Sequence, residues 1–481
     1  MGRAVQPRRA PRRRRRGSLD KGKVFTFPPG SRIEPKGFLV VSLNPEQFTN
    51  AYRLTSIGPL KRPLKRAGER IELRDDRGNV VDAARYKDES PWPVSADGAS
   101  ASLERICPGS SGEVPENWAG SPLPATPKPS GRPGRPNANF SATLPPVVSP
   151  LEAPAVAAPG RPLRVSAEVK GDVMAPGVAL LYRSLTAEAE GAEVSIPMVR
   201  GPDGRFVASI PGHPAGTLLR YRVQATGPGG AQRLYPAEHD LRPTLSTYIQ
   251  DRWDKAPISL AVLLLGGPDR KAAVDQARRG GPGFGPPPGF GPPPGERRDR
   301  EPPPGGPPGP QPDERPGPPP PGFGPPGRFG PGNEETPHPP RGSSAFIHVD
   351  QKTGKVALFD HINAVPRGRH PGFVLHFHKD RRFQGQSAVS VFFEGNERWM
   401  LAEALAYEVY RRAGSAAPLT KFVRLWVDGK MVGYNLMVER PNKSFLRRNK
   451  VDDGEDSDGR PILDQARLLH EPRARRQSCR A

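Results

Sequence analysis

The chain has 481 residues, among them 65 prolines and 54 glycines, and its formal net charge is +22. Such a large share of proline and glycine fits several modest domains separated by linkers better than one large core. The two cysteines, Cys107 and Cys479, form no CxxC pair, which excludes a cysteine zinc site or redox motif. No apolar stretch reaches about 18 residues, so no transmembrane segment is predicted.

The positive charge is concentrated at the two ends of the chain. Eight arginines fall within the first sixteen residues, and four more fall between Arg473 and Arg480. Two interpretations stay open: out-of-frame translation of GC-rich DNA giving a disordered end, or an arm attracted to polyanions. No aromatic residue interleaves with these arginines, so no specific nucleic-acid partner is predicted. We expect a disordered Arg-rich start over residues 1–20 and a disordered tail over 451–481, with no signal peptide visible.

Residues 21–122 have an all-β pattern, in which a turn cluster at residues 75–79 predicts a hairpin. The informative pieces are Phe27–Ile33, Gly37–Val41, Gly68–Leu73, Val80–Asp82 and Gly98–Arg105. Together they resemble the lamin-tail domain, an immunoglobulin-like sandwich that in bacteria occurs on secreted, multidomain proteins. The opening strands of that family have no counterpart here, so the sandwich is expected to be incomplete at its N-terminus.

The middle of the chain predicts a second β domain between two linkers. A linker at 123–155 precedes residues 156–247, whose short strands at regular spacing suggest a fibronectin- or immunoglobulin-like sandwich with a spacing role. Residues 248–279 are interpreted as a connecting segment, and the apolar run Ile258–Leu265 within it predicts a buried strand. Residues 280–342 form a proline- and glycine-rich low-complexity linker, with SH3-like docking of its proline runs as an alternative role.

Residues 343–450 predict strands around one amphipathic helix, whose apolar positions include Met400, Leu401, Leu405 and Val409. The helix lies in the run Leu401–Gly414, which is followed by Val423–Tyr434 and Val438–Arg448. These three runs resemble the N-terminal half of the CotH domain, a secreted atypical kinase family first known from bacterial spore coats. The resemblance implies a partial α+β, kinase-like N-lobe, with ATP and Mg²⁺ as cofactors of the intact parent protein.

Kinase-like folds place a strand lysine opposite a helix glutamate, so that the lysine reaches the phosphates. Glu403 matches the helix glutamate, although an exposed carboxylate paired with arginine is the competing interpretation. Pro371 and Gly372 stand where the resemblance expects a strand lysine. The candidate nucleotide-binding residues are Glu403, Lys379, Arg367 and Arg369.

The two histidines His376 and His378 are separated by one residue on a predicted strand, so they share one face. With Asp380, and with His361 or Asp360 as a further ligand, they suggest a metal site as an alternative. A partly exposed polar face is the simpler interpretation. No metal site is therefore predicted.

The acidic residues between Asp452 and Asp458 lie in a polar run without a strand pattern, which is typical of a solvated linker. The catalytic half of the family is therefore expected to be absent, catalytic residues are not assigned, and this chain is expected to use no cofactor. The sequence predicts a multidomain, mainly β protein with long disordered segments. It is interpreted as a fragment of a secreted CotH-like atypical protein kinase with β-sandwich accessory modules. The alternative is a non-catalytic extracellular or cell-surface protein that binds a protein or envelope component.

Overall fold

The computed structural model describes residues 3–5, 17–20, 24–65, 67–97, 101–123, 131–174, 177–253, 256–278, 342–367, 372–393 and 400–451. Strands dominate these residues and form three modules. The predicted Arg-rich start, proline- and glycine-rich linker and C-terminal tail lie almost wholly outside the described residues. The mainly β, multidomain class predicted from the sequence is confirmed.

The first module contains small sheets and one short helix. Its elements are β1 (Arg3–Val5), β2 (Ser18–Leu19), β3 (Phe25–Thr26), β4 (Phe38–Val40), α1 (Pro45–Tyr52), β5 (Gly68–Arg74), β6 (Val80–Lys87), β7 (Leu103–Arg105) and β8 (Trp118–Gly120). The predicted hairpin is present as β5 and β6, because the Asp75 side chain accepts hydrogen bonds from the backbone of Arg77 and Asn79 in the turn. The lamin-tail assignment of this module stays a prediction.

The second module has a six-stranded and a three-stranded sheet around a shared apolar core. Its strands are β9 (Val147–Val148), β10 (Val156–Ala157), β11 (Leu163–Ala167), β12 (Val169–Lys170), β13 (Val178–Leu185), β14 (Val194–Pro197), β15 (Val199–Arg200), β16 (Phe206–Ile210), β17 (Leu218–Thr226), β18 (Gln232–Tyr235) and β19 (Leu245–Ile249). Leu163, Val165 and Ala167 alternate toward the core, as period-2 patterning requires. The arrangement is that of a sandwich.

The third module is a closed seven-stranded barrel with three helices. Its elements are β20 (Ser259–Leu264), α2 (Gly267–Arg278), β21 (Ser344–Val349), β22 (Val356–Pro366), β23 (Gly372–His376), β24 (Ala388–Phe392), α3 (Ala402–Arg412), β25 (Thr420–Val427), β26 (Lys430–Glu439) and α4 (Lys443–Arg448). The strand order around the barrel is β20-β21-β22-β23-β24-β26-β25. The barrel interior is filled by apolar side chains such as Phe346, Phe373 and Leu425.

The barrel closes because β20 pairs antiparallel with β21 on one side and parallel with β25 on the other. All six residues of β20 are buried, which confirms the buried strand predicted at Ile258–Leu265. That strand lies in the segment interpreted as a connection between domains. Residues 343–450 alone therefore lack one strand of the barrel, and the proline- and glycine-rich segment is an insertion between α2 and β21. Local patterning does not show this, because the pairing of β20 with β25 joins residues more than 150 positions apart.

The second module and the barrel share an apolar cluster. Leu185, Leu218 and Tyr248 from the sandwich pack with barrel residues that include Leu260 and Ile347. Relative motion between domains is the usual expectation unless their interface is extensive and apolar. This shared cluster therefore favours a fixed placement of the sandwich against the barrel.

Candidate functional site

Helix α3 places Glu403 in its first turn, where a carboxylate interacts favourably with the helix dipole. The side chains of Ala404 and Tyr407 pack against a cluster formed by Phe392, Leu436 and Val438. Glu403 itself is half-buried. The sequence therefore located this glutamate correctly on a helix, and the structure fixes that helix against the outer surface of the barrel.

Arg367 follows the last residue of β22, and its guanidinium lies 3.8 Å from the centre of the Phe392 ring. The backbone N–H of Arg367 donates to the carbonyl of Gly372 at 3.0 Å, and the side chain of Gln276 on α2 donates to the carbonyl of Arg367. Phe392 also belongs to the cluster that receives Ala404. Arg367 thus stacks on a ring that belongs to the cluster on which the helix carrying Glu403 packs.

Lys379 lies beyond the opposite end of β23. Gly372 pairs with Phe392 at one end of this strand, and His376 pairs with Ala388 at the other. Lys379 lies three residues beyond His376, in a turn. The ammonium of Lys379 binds the carboxylate of Asp97 in the first module, and this contact raises the pKa of Lys379. Lys379 is therefore engaged by the first module, beyond the end of β23 opposite Gly372.

Gly372, one of the two positions where the resemblance expects a strand lysine, is closed to any side chain. A Cβ atom on Gly372 would lie 2.2 Å from the carbonyl oxygen of Val391 and 2.6 Å from Cβ of Phe392. Real structures essentially never contain such contacts, so glycine is required at this position, where β23 pairs with β24. Arg369, the remaining candidate, and Pro371 lie outside the described residues.

The histidines of the alternative metal site are engaged by protein groups. The ring of His378 is 2.8 Å from the carbonyl of His361, and the ring of His361 is 2.7 Å from the hydroxyl of Thr244. Asp380 pairs with Arg242 of the second module. Within the described residues, no group of three or more His, Cys, Asp or Glu side chains is placed to hold a metal ion.

A buried ion pair that the sequence analysis did not identify joins the second module to the barrel. The guanidinium of Arg220 donates to both carboxylate oxygens of Asp360, at 3.0 and 2.6 Å, and its side chain is 1% exposed. Arg220 also donates to Glu190 at 2.9 Å and to the carbonyl of Ser343 at 2.7 Å. Burial alone would raise the pKa of Asp360, but the attraction of Arg220 outweighs it and holds that pKa well below its usual range.

A strand lysine does exist, at the barrel mouth formed by His348, Asp350 and Lys421. The ammonium of Lys421 on β25 lies 3.1 Å from Nε2 of His348 and 3.6 Å from the Asp350 carboxylate. Burial, with the nearby ammonium, lowers the pKa of His348 to about 4. The alternation of Lys421 with Val423 and Leu425 is the sequence signal that could have placed this lysine inside the barrel.

Lys421 lies on the opposite face of the sheet from α3. It pairs with Met437, which like Val423 and Leu425 belongs to the interior cluster, whereas α3 packs on the outer cluster of Phe392, Leu436 and Val438. Its ammonium faces a buried neutral imidazole and a carboxylate on neighbouring elements. Lys421 therefore interacts with the barrel mouth and does not replace the lysine that the resemblance expects opposite Glu403.

Comparison with known proteins identifies the part of the chain to which these residues belong. Residues 370–465, about a fifth of the 481-residue chain, match the family model described as CotH kinase protein. The matched region begins just before β23, includes α3 and α4, and carries Glu403 and Lys379. No curated protein matches the chain. This region is therefore CotH-like, and the CotH resemblance predicted from the sequence is supported.

Proposed function

We propose that the chain is a fragment of a secreted CotH-like atypical protein kinase in which the β modules are accessory domains, and that it does not itself transfer phosphate. The CotH match over residues 370–465 supports the family assignment. The proposal of inactivity is carried by one observation. Lys379 lies beyond the end of β23 that is opposite Gly372 and Phe392, and its ammonium binds Asp97 of the first module.

A Mg²⁺-ATP site needs a lysine facing the helix glutamate, together with acidic ligands that position the metal ion. Around Phe392, the described residues provide the Arg367 guanidinium and the α3 helix with Glu403, and Gly372 leaves no room for a side chain. These residues do not fit the cofactor, so no step of phosphate transfer is derived for this chain.

The Arg367 guanidinium can still contribute weak anion recognition. A planar guanidinium stacked on an aromatic ring keeps its N–H groups in one plane, a geometry that suits phosphate or carboxylate oxygens. One guanidinium without further ligands gives only weak attraction, so we expect no saturable binding of ATP.

Calorimetric titration of the purified chain with Mg²⁺-ATP tests the proposal. We expect no saturable heat, with the same result for the Glu403→Gln variant and for the matched control Glu408→Gln on the same helix. Saturable binding of ATP that Glu403→Gln abolishes and Glu408→Gln preserves would refute the proposed inability to use ATP.

The alternative function is that of a non-catalytic extracellular or cell-surface protein that binds a protein or envelope component. The buried seam between the second module and the barrel favours it, because a rigid pair of modules presents one fixed surface. Protease treatment of intact cells that produce the parent protein tests the proposed location. Degradation of the second module without cell lysis is expected, and complete resistance would argue for an internal protein. Among the described helices, none is long and apolar enough to cross a bilayer.

A further inference from the structure

Helix α3 turns its more apolar side outward. The outer face of α3 consists of Leu401, Leu405, Val409 and Tyr410, whose exposed fractions are 53%, 60%, 63% and 54%. Leu401, Leu405 and Val409 are spaced by four residues and therefore form one stripe. The sequence predicted an amphipathic helix from this stripe, and an apolar stripe normally faces a core.

The side of α3 that faces the barrel is the more polar one. Glu403, Ala404, Tyr407, Glu408 and Arg411 are half-buried there, and no residue of the helix is fully buried. A contiguous exposed apolar surface on a soluble protein marks a site at which another segment or molecule binds. The outer face of α3 is therefore expected to be covered.

We propose that the chain's own residues 462–469 dock on the outer face of α3. The first argument is reach. Arg448 near the end of α4 donates to the carbonyl of Ala417 at 3.2 Å, and Arg411 near the end of α3 donates to the carbonyl of Pro418. Both helices therefore end beside the same loop. The ten residues 452–461 span up to about 33 Å when extended, while α3 is only about 16 Å long.

The second argument is charge complementarity. The exposed side chains of Arg412, Arg447 and Lys450 form a basic rim on the ends of α3 and α4. The segment that leaves this rim contains Asp452, Asp453, Glu455, Asp456 and Asp458. Attraction between the basic rim and these acidic residues holds the start of the segment near the loop, and this attraction weakens as salt is added.

The third argument is the apolar pattern of the segment. Ile462, Leu463, Ala466 and Leu469 recur at the spacing of one helical face. An amphipathic segment that lays such a face on an apolar surface is a common mode of peptide recognition. The stripe on α3 and the stripe in residues 462–469 are similar in length, so that one can cover the other.

Hydrogen exchange of the full chain tests the proposal, with peptides covering residues 400–413 as the readout. The test variant, Ile462→Glu with Leu469→Glu, adds two negative charges on the apolar face of the segment. The matched control, Arg467→Glu, changes the net charge by the same amount without removing an apolar side chain. We expect exchange in α3 to become on the order of tenfold faster in the test variant and to stay unchanged in the control.

A chain ending at Val451 should show the same acceleration as the test variant. Identical exchange of α3 in the full chain, the test variant and the shortened chain would overturn the proposal. Protection of α3 that rises with protein concentration, together with a dimer mass in light scattering, would also overturn it, because the face would then pair two copies of the chain.

Discussion

At the residue scale, Arg220 is the side chain on which the placement of the two larger modules depends most. It is 1% exposed, and it comes from the sandwich while Asp360 comes from the barrel. A buried ion pair does not guarantee net stabilisation, since desolvation costs about as much as the attraction returns. Its removal from one side only is costly, because the other charge then stays buried without its partner.

Replacement of Arg220 by Met is therefore expected to lower the free energy of unfolding by about 3–5 kcal/mol. The matched control is Arg222→Met on the same strand, where the partly exposed Arg222 pairs with Glu193; a loss within about 1 kcal/mol is expected there. Urea unfolding followed by tryptophan fluorescence measures both. Equal small losses would show that the buried pair does not anchor the sandwich to the barrel.

His348 predicts a specific pH dependence of stability. Its folded-state pKa of about 4 lies below the ordinary value of 6.5, so between these pH values the unfolded chain binds a proton that the folded chain does not. Stability contributed by the neutral imidazole is therefore present above pH 6.5 and is lost as the pH falls toward 4. The full loss is on the order of 3 kcal/mol.

The His348→Leu variant should remove this part of the pH dependence, measured as the free energy of unfolding at pH 7, 5 and 4. The Lys421→Met variant should weaken it, because the ammonium of Lys421 helps to lower the pKa of His348. A His348→Leu protein that loses as much stability as the parent between pH 7 and 4 would contradict this assignment.

At the element scale, two irregular strands position the residues of the seam and of the candidate site. In β22 the pairing shifts, so that four residues, Phe359 to Ile362, oppose three residues of β21, Ser344 to Phe346, and His361 adopts a φ of 57°. A bulge of this kind re-aims side chains. It turns Asp360 and His361 out of the barrel toward Arg220 and Thr244 of the sandwich.

The close pairing of β23 with β24 at Gly372 predicts that a single added methyl group lowers the stability of the protein. Gly372→Ala should destabilise the protein by about 1–3 kcal/mol, because the new Cβ would meet the Val391 carbonyl at 2.2 Å. Gly267→Ala at the start of α2 is the matched control, since its Cβ would meet no atom within 4 Å, and it should be neutral or slightly stabilising. Thermal unfolding distinguishes the two. A Gly372→Ala protein as stable as the control would remove the steric argument against a lysine at position 372.

At the scale of the whole molecule, the barrel is assembled from two separated parts of the chain. Strand β20 and helix α2 precede the proline- and glycine-rich segment, and the remaining six strands follow it. Asp269 on α2 accepts from the backbone N–H of Ala364 at 3.2 Å, and Arg270 pairs with Asp428 at 3.1 Å. The two parts are therefore held together by packing and ion pairs as well as by the covalent connection.

Proteolytic cleavage within residues 279–341 should accordingly leave both pieces in one complex. Size-exclusion chromatography with light scattering is expected to give the intact mass under native conditions and two separate masses in denaturant. Two separate pieces under native conditions would mean that β20 is held in the barrel only by its covalent connection.

Much of the local structure could be predicted from the sequence, because strand alternation and turn residues act over short distances. The β5–β6 hairpin, the buried strand at Ile258–Leu265 and the helix with Glu403 follow from such patterns. Three long-range features do not follow from such patterns: closure of the barrel by β20, the Arg220–Asp360 pair and the contact of Lys379 with Asp97. Each joins residues more than 100 positions apart, and no local pattern encodes that pairing.

The same limit explains the candidate site. The candidate residues follow from their charge and from their positions in the CotH-like sequence, which specify residue types but not the distances between side chains. They are Glu403, Lys379, Arg367 and Arg369. The structure brings Arg367 and the helix of Glu403 together around Phe392 and places Lys379 at another module boundary. Their role in nucleotide binding stays a prediction.

The central claim is that the CotH-like region of this chain, whose candidate lysine Lys379 binds Asp97, transfers no phosphate. Incubation of the purified full chain with Mg²⁺ and ATP labelled at the γ-phosphate, followed by measurement of labelled protein, tests it most directly. The expected result is no labelling of the chain or of added surface proteins above the level without Mg²⁺. Mg²⁺-dependent labelling that is lost in Glu403→Gln and retained in Glu408→Gln would contradict the claim.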